Sequence, residues 1–488
     1  MFSILHISDL HRSPENPVSN VELLSALHAD VARFGTEVPP ISRPDAIVVS
    51  GDLVMGLPLG DPGHPGALER QYEQAYDFLT RMATVFVDGD RARVVIVPGN
   101  HDVDWNCSRA AMTEADPTGK HVPRLIEAAG GPYRWSWHDL RLFRICDPGL
   151  YEARFSYFCE MYSRFYAEAR TLVLPVAPHR PWNLFSLHDG RICVCAFNSC
   201  IRNDCFSRIG MISQEAIAQS HLELLALARV PQVKIAVWHH DVEGSPFRDD
   251  YMDPDTVKVM IDRGYYMAMH GHRHRSHTSP HTVFTSDEFM MPVVSAGSLC
   301  AAGDNLPPGV RRQYNMVELR EDGGGARIHV REVQANGIFG RGRLDSAGGR
   351  SYIDVEWKPV PRGEAMNPPR DARADLSVAE QAEKFLAEND PMAAIRAIEV
   401  IGEAPPGYLR RLLLRALDMA GLWPRVTQVL QRAETPEELT LVIKALIHLR
   451  QWPEAEARLV AAERSGLFDT TTIQTLAKWL AAEKGIHP

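Results

Sequence analysis

The chain has 488 residues and a formal net charge of -10, from 52 Lys and Arg against 62 Asp and Glu. Its 45% hydrophobic and 23% charged residues are those of a folded globular protein and exclude a disordered one. The acidic balance excludes coating of nucleic acid through charge alone, and no apolar run reaches the ~20 residues that span a bilayer.

In chain order, apolar runs at residues 2–8, 46–50, 94–97, 192–197, 233–238, 265–269 and 293–295 read as strands. Several are continuous rather than alternating, which suits strands buried on both faces of an α/β sheet. Residues 21–34, 68–84 and 213–228 read as helices between them, in βαβ-like units. Residues 314–319, 326–333 and 352–357 alternate more and are expected to complete the sheet in antiparallel fashion. Between the third and fourth runs lies an insert, residues 105–187, rich in aromatics. Within it Phe155, Phe158, Tyr162, Phe165 and Tyr166 fall at helical spacing, the pattern of core packing.

Pro359, Pro361, Pro368 and Pro369 mark a semi-rigid linker over residues 359–375. Beyond it, residues 376–488 turn to Ala, Leu, Glu and Arg with helical periodicity. Pro391, Pro424 and Pro453, separated by 33 and 29 positions, each stand in similar segments. Proline is tolerated in the first turn of a helix, so each is expected to open the second helix of a hairpin. The period resembles tetratricopeptide-type repeats, which serve as protein-binding surfaces; a plain helical bundle is the alternative.

The eight cysteines form no C-x-x-C pair, so neither a zinc ribbon nor a disulfide scaffold is indicated. The opening MFSILHISDLH has no basic leader, and a cytoplasmic location is expected. The 20 histidines matter only where they cluster with carboxylates.

They do so at the ends of predicted strands. The first strand ends in Asp9-Leu10-His11, the second in Gly51-Asp52 and the third in Gly99-Asn100-His101-Asp102. Two later strands end in His239-His240-Asp241 and His270-Gly271-His272-Arg273-His274. Loops beyond the carboxyl ends of parallel strands converge on one side of a sheet and form its ligand crevice. Each motif alone is weak, but five in order bring carboxylate, amide and imidazole groups to one place. Such mixed donors suit Mn, Fe, Zn or Ni better than Ca or Mg, and an Asp can bridge two cations.

At these residues the chain resembles the calcineurin-like metallophosphoesterases, whose ordered signature is D-x-H, G-D, G-N-H-[DE], H and G-H-x-H. The likeness extends to Phe197-Asn198-Ser199 and Ala296-Gly297-Ser298. It implies a four-layer α/β/β/α sandwich over residues 1–358, with 105–187 as a cap-like insert. The all-α helical-hairpin repeat domain expected over 376–488 lies outside the resemblance and rests on the helical periodicity above. The resemblance implies Asp9, His11 and His274 on one metal, Asn100, His239 and His272 on the second, and Asp52 bridging. His239 is preferred to His240 because the family places its ligand first in the pair. His101 is expected beside the metals, with Asp102 orienting it. The departures are Ser8 where Gly commonly stands, Met55 at a position that is frequently acidic, and Asp241 where Pro often follows. None removes a ligand.

The implied activity is hydrolysis of a phosphodiester by a metal-bridging hydroxide, with two divalent ions, Mn first and Fe, Zn or Ni as alternatives. His101 would serve as general acid or electrostatic stabiliser at the leaving oxygen. Diesters are favoured over monoesters because Asp9-Leu10-His11 and the His-His pair resemble the cyclic-nucleotide phosphodiesterase and repair-nuclease branches. The substrate classes are a cyclic nucleotide, another small diester or nucleic acid. Candidate substrate contacts are Arg273, His240 and, in the insert, Arg134, Arg141 and His138. A cluster of Arg311, Arg312, Arg320, Arg327, Arg331, Arg341, Arg343 and Arg350 reads first as a solvated rim. The alternative reading is a regulatory or effector protein, such as a defence-type nuclease subunit, that acts only with a partner bound by residues 376–488. No membrane partner is expected.

Overall fold

The structure is a computed structural model. It describes all residues except 62–65, 116–130, 137–138, 140, 170–173, 178–179, 228, 244–249, 283–288, 302–305, 308, 345–346, 359–377, 380, 387, 401, 403–406, 432, 434, 466–467, 469 and 487–488. The predicted linker therefore lies outside the described residues.

The strands of the first half are β1 (Phe2–Ile7), β2 (Ala46–Ser50), β3 (Val94–Val97), β4 (Met112–Ala115), β5 (Tyr133–Ser136), β6 (Arg141–Ile145), β7 (Trp182–Leu187) and β8 (Ile192–Phe197). Those of the second are β9 (Val233–Val237), β10 (Met267–His270), β11 (His277–Thr282), β12 (Met290–Ser295), β13 (Gln313–Leu319), β14 (Gly325–Val333), β15 (Phe339–Arg341) and β16 (Tyr352–Glu356). The helices before the C-terminal region are α1 (Asn20–Val31), α2 (Ala67–Phe86), α3 (Trp105–Ala110), α4 (Pro148–Glu152), α5 (Ser156–Tyr166), α6 (Gln214–Ala226) and α7 (Asp255–Asp262).

Among the described residues these strands make three sheets. The first is ordered β15-β14-β13-β1-β2-β3 with β16 on β14; the second is ordered β11-β12-β10-β9-β8-β7; β4, β6 and β5 form the third. The unalternating runs are the central strands: β1, β2, β3, β8, β9 and β10 are buried along their whole length. In the first sheet Leu5 pairs in parallel with Ile47 and antiparallel with Met316. In the second, Val194 pairs in parallel with Ile235, and Met269 with Val294. Parallel pairing sends the carboxyl ends of β1, β2 and β3 to one edge, and those of β8, β9, β10 and β12 to one edge of their sheet. A parallel bridge between Ser8 and Ser298 joins the loop after β1 to the loop after β12.

Both large sheets contribute to one core with α1, α2 and α5. The aromatic stripe of α5 is part of it: Phe158, Tyr162, Phe165 and Tyr166 are buried, and α5 packs on α2. The stretch read as an insert is thus heterogeneous. Its β4, β5 and β6 form the small sheet, α5 joins the main core, and β7 is an edge strand antiparallel to β8, with Leu184 opposite Cys195.

A buried ion pair ties α1 to the first sheet. Arg331 on β14 donates from Nε and Nη2 to the two carboxylate oxygens of Asp30 at 2.8 and 2.6 Å, and Tyr314 Oη donates to Asp30 Oδ2 at 2.6 Å. Burial alone would raise the Asp30 pKa, but the Arg331 guanidinium outweighs it and holds the carboxyl below its usual range. Its contribution to stability is present above the ordinary carboxylate pKa and is lost as pH falls through the lowered one. Arg331→Met leaves the carboxylate buried without its main partner. It is expected to cost about 3–5 kcal/mol, read as a fall in the thermal unfolding midpoint at neutral pH.

The chain divides into two compact units: Met1–Val242, Asp250–His281 and Met290–Val360 form one, and the C-terminal helices belong to the other. These helices are α8 (Pro391–Glu399), α9 (Gly407–Met419), α10 (Trp423–Val429), α11 (Pro436–His448), α12 (Trp452–Ser465) and α13 (Thr470–Ile486). Pro391, Pro424, Pro436 and Pro453 all fall in a first turn, where a missing N–H costs no hydrogen bond. Each helix packs on the next around a core of Leu, Ile, Val and Ala. Among the described residues, no helix is long and apolar enough to cross a membrane.

Candidate metal centre

The loops that follow the parallel strands turn back sharply. Asp9, His11, Asp52, His272 and His274 all have positive φ, between 42° and 73°. A side chain in that region is strained by about 1–3 kcal/mol, a cost that persists only where surrounding contacts hold it. Here backbone bonds do so: Asp9 N–H donates to Gly51 O at 3.1 Å, His11 N–H to Asp52 O at 3.0 Å and Gly271 N–H to His239 O at 3.1 Å. Gly99 is required by close approach, because a Cβ there would overlap the Asp52 carboxylate, with Cγ at 2.8 Å.

The turned side chains meet in two groups. In the first, donor atoms of Asp9, His11, Asp52 and His274 all lie within 4.8 Å of one another. His11 Nε2 is 3.1 Å from His274 Nε2, and His274 Nε2 is 3.2 Å from Asp9 Oδ1. In the second, Asn100 Oδ1 lies 3.0 Å from both His239 Nε2 and His272 Nδ1, which are 3.2 Å from each other. Asp52 stands between the groups. Its Oδ2 is 3.3 Å from His239 Nε2 and 3.9 Å from His11 Nε2, while Oδ1 accepts from His101 N–H at 2.8 Å.

This donor set fits a divalent cation. Ring nitrogens face one another and a carboxamide oxygen. With each ring neutral and protonated on its outer nitrogen, as the Ser50 carbonyl requires of His239, the inward lone pairs converge on a position a cation would satisfy. Among the described residues, the buried Asp9 Oδ1 has no hydrogen-bond partner despite His274 beside it. Electrostatics give Asp9, Asp52 and His11 the protonation states that metal ligands need, and His239 the opposite one. Burial would raise Asp9 and Asp52, but neighbouring histidines, His274 for Asp9 and His239 for Asp52, hold both carboxyls below the usual range. Burial pushes the His11 pKa down to about 3, which keeps the ring neutral. For His239 burial opposes protonation, yet the Asp52 and Asp9 charges outweigh it and push the pKa up to about 9. A cation at that nitrogen competes with this proton.

The neighbouring residues divide differently from expectation. His101 is adjacent, its ring edge-on to His11 at 4.7 Å between centroids. Asp102 does not orient it. The His101 ring is held by Met55 O, 2.7 Å from Nδ1, whereas the Asp102 carboxylate accepts from Leu53 N–H at 3.1 Å and Gly99 N–H at 2.8 Å. Asp102 thus fastens the two loops that carry Asp52 and Asn100, and burial with the Asp52 charge raises its pKa to about 7. His240 is fully buried, with Nδ1 2.8 Å from Ser199 Oγ, so it faces the protein rather than a substrate.

Arg273 forms an ion pair with Asp241, the residue that replaces the usual Pro. Arg134 donates to Asp204 at 2.5 Å and to Tyr151 Oη at 3.0 Å, and Arg141 pairs with Glu114 at 2.8 Å. The partners of Arg134 and Arg141 lie in the insert and in the loop after β8, not in the histidine cluster. His138 lies outside the described residues.

Residues not anticipated as parts of the site include Ser50 and Ser199. The Ser50 carbonyl lies 2.8 Å from His239 Nδ1 and fixes that ring from behind. Ser199 Oγ accepts the His239 N–H at 3.2 Å; its signal was the Phe197-Asn198-Ser199 run at the end of β8.

An α/β scaffold whose strand-end loops gather Asp, Asn and His donors around one carboxylate is that of a metal-binding hydrolase. The chain belongs to the calcineurin-like phosphoesterase family, which its sequence matches over residues 2–276. No curated protein matches the sequence. Among solved structures, a dimetal phosphatase from Danio rerio is 11% identical with a TM-score of 0.38, covering 73% of this chain and 99% of that one. A purple acid phosphatase from yellow lupin (Lupinus luteus) seeds is 12% identical with a TM-score of 0.40, covering 75% and 57%. The calcineurin-like phosphoesterase YfkN from Bacillus subtilis is 14% identical with a TM-score of 0.26, covering 74% and 93%.

Proposed function

We propose that the chain is a phosphodiesterase with two divalent cations, one held by Asp9, His11 and His274 and the other by Asn100, His239 and His272. The observation that carries this reading is Asp52, whose single Oδ2 faces a nitrogen of each group, His11 at 3.9 Å and His239 at 3.3 Å. Mixed oxygen and imidazole donors favour Mn, with Fe, Zn or Ni as alternatives. When bound, two cations lower the pKa of the attacking water and offset the charge of the phosphate oxygens.

The chain supplies the rest. His101 Nδ1–H donates to Met55 O, so Nε2 is the nitrogen left to carry a proton to the leaving oxygen as the P–O bond breaks. Arg273, between two ligand histidines and braced by Asp241, is the proposed contact for a phosphate oxygen. A diester is favoured by the resemblance of Asp9-Leu10-His11 and His239-His240 to the diesterase branches. Within the arginine cluster, Arg320, Arg327, Arg331 and Arg341 each pair with a carboxylate, which supports a small diester over long nucleic acid. The reading includes a cytoplasmic location, a four-layer catalytic sandwich, and a repeat-type helical region from residue 376 that binds a protein partner.

The test is a panel with Mn: an aryl monoester, an aryl diester, cyclic AMP and GMP, and single- and double-stranded DNA and RNA. A diester is expected to turn over fastest. His101→Ala is expected to lower turnover about 10²- to 10⁴-fold on a diester with an alkoxide leaving group, and far less on an aryl one that needs no proton. Faster monoester hydrolysis overturns the diester assignment. No turnover with any divalent metal favours the effector reading, in which a partner is required.

A further inference from the structure

Three of the four histidines in the two groups turn the same nitrogen inward. His11 and His274 meet through their Nε2 atoms, and His239 presents Nε2 to Asn100. His272 is reversed: its Nδ1 faces Asn100 and His239 at 3.0 and 3.2 Å. Its Nε2 points away from the group, and there Asp250 Oδ2 lies 3.5 Å from it, within ion-pair range.

An imidazole that offers a lone pair from one nitrogen carries its proton on the other. Whatever accepts that proton selects the tautomer, fixes the ring plane and tunes the basicity of the inward nitrogen. For His239 the acceptor behind the ring is the neutral Ser50 carbonyl. Behind His272 the group facing Nε2 is the Asp250 carboxylate, at 3.5 Å; a carboxylate polarises an imidazole N–H more strongly than a carbonyl does. Asp250 belongs to none of the sequence motifs and reaches the site from the segment before α7, with 30% of its side chain exposed.

We propose that Asp250 is the positioning residue of His272, holding it as the Nε2–H tautomer so that Nδ1 is available to a cation in the group formed with Asn100 and His239. The proposal rests on the two-cation reading above. Because Asp250 acts behind one group only, its loss weakens one of two binding steps and leaves the other unchanged.

The test titrates chelator-treated full-length protein with Mn²⁺ alone by calorimetry, for wild type, Asp250→Ala, Asp250→Asn and Asp250→Glu. The visible absorption of each Co²⁺-loaded form is recorded beside it, with thermal unfolding of the metal-free proteins as a control. Wild type is expected to take up two equivalents. Asp250→Ala and Asp250→Asn are expected to weaken one step by about 10- to 100-fold and to alter the bands of one Co²⁺ ion, with Asp250→Glu restoring part of both. Two equivalents at wild-type affinity with an unchanged Co²⁺ spectrum in Asp250→Ala and Asp250→Asn overturn the proposal. Equal weakening of both steps, accompanied by a lower unfolding midpoint without metal, also overturns it, since that is a folding effect. Wild-type protein that takes up no Mn²⁺ overturns the two-cation reading itself, and this proposal with it.

Discussion

Asp52→Asn is expected to abolish Mn-dependent hydrolysis while leaving the fold intact. The carboxylate is almost fully buried and does two things at once. Oδ1 accepts the His101 N–H at 2.8 Å, and Oδ2 faces His239 and His11 from the two sides. An amide keeps the shape and still offers one acceptor, but it removes the negative charge and turns an N–H₂ group toward one neighbour. Asn also tolerates the left-handed backbone at this position, where φ is 53°. Folding is therefore spared while the shared ligand is lost. The fall in turnover should exceed the ~10- to 100-fold typical of an outer partner, and metal content by mass spectrometry should drop below two equivalents. Retained turnover with two bound equivalents would contradict the bridging role.

Gly99→Ala tests the same carboxylate through space rather than charge. The Gly99 backbone, at φ -110°, is open to any residue, so alanine brings no conformational strain. What it brings is a methyl group against Asp52, overlapping both the carboxylate and the backbone nitrogen. Overpacking of this kind costs about 1–3 kcal/mol of stability. Relief requires Asp52 to move, and Asp102 resists because it clamps Gly99 N–H and Leu53 N–H together. The expected result is a folded, less stable protein with activity and metal uptake as low as in Asp52→Asn. Near-wild-type uptake would show that the carboxylate is not confined where the structure has it.

What was legible in the sequence follows its physics. Central strands such as β2 and β8 are covered on both faces and read as continuous apolar runs, and the metal-type residues stand directly at their carboxyl ends, as the parallel topology requires. The family follows from that order of motifs. Edge elements were less legible. The residues of β11, His-Thr-Ser-Pro-His-Thr, carry no apolar alternation, and β7 lies inside an aromatic stretch whose neighbour α5 reads the same way. The roles around the ligands were the least legible. That Met55 O rather than Asp102 holds His101 depends on a backbone carbonyl, which no side-chain pattern reports. Asp250 is far from His272 in sequence and meets it only through the fold, as does Ser50 with His239. The preference for a diester rests on resemblance alone, because substrate-contacting loops vary independently of the scaffold that carries the metals.

The two-cation centre is tested most directly by crystals grown with Mn²⁺ and measured at the manganese absorption edge. Two anomalous peaks are predicted, one among Asp9, His11 and His274, the other among Asn100, His239 and His272, each in contact with the Asp52 carboxylate. A single peak, or two peaks with Asp52 bound to neither or to only one, would contradict the account.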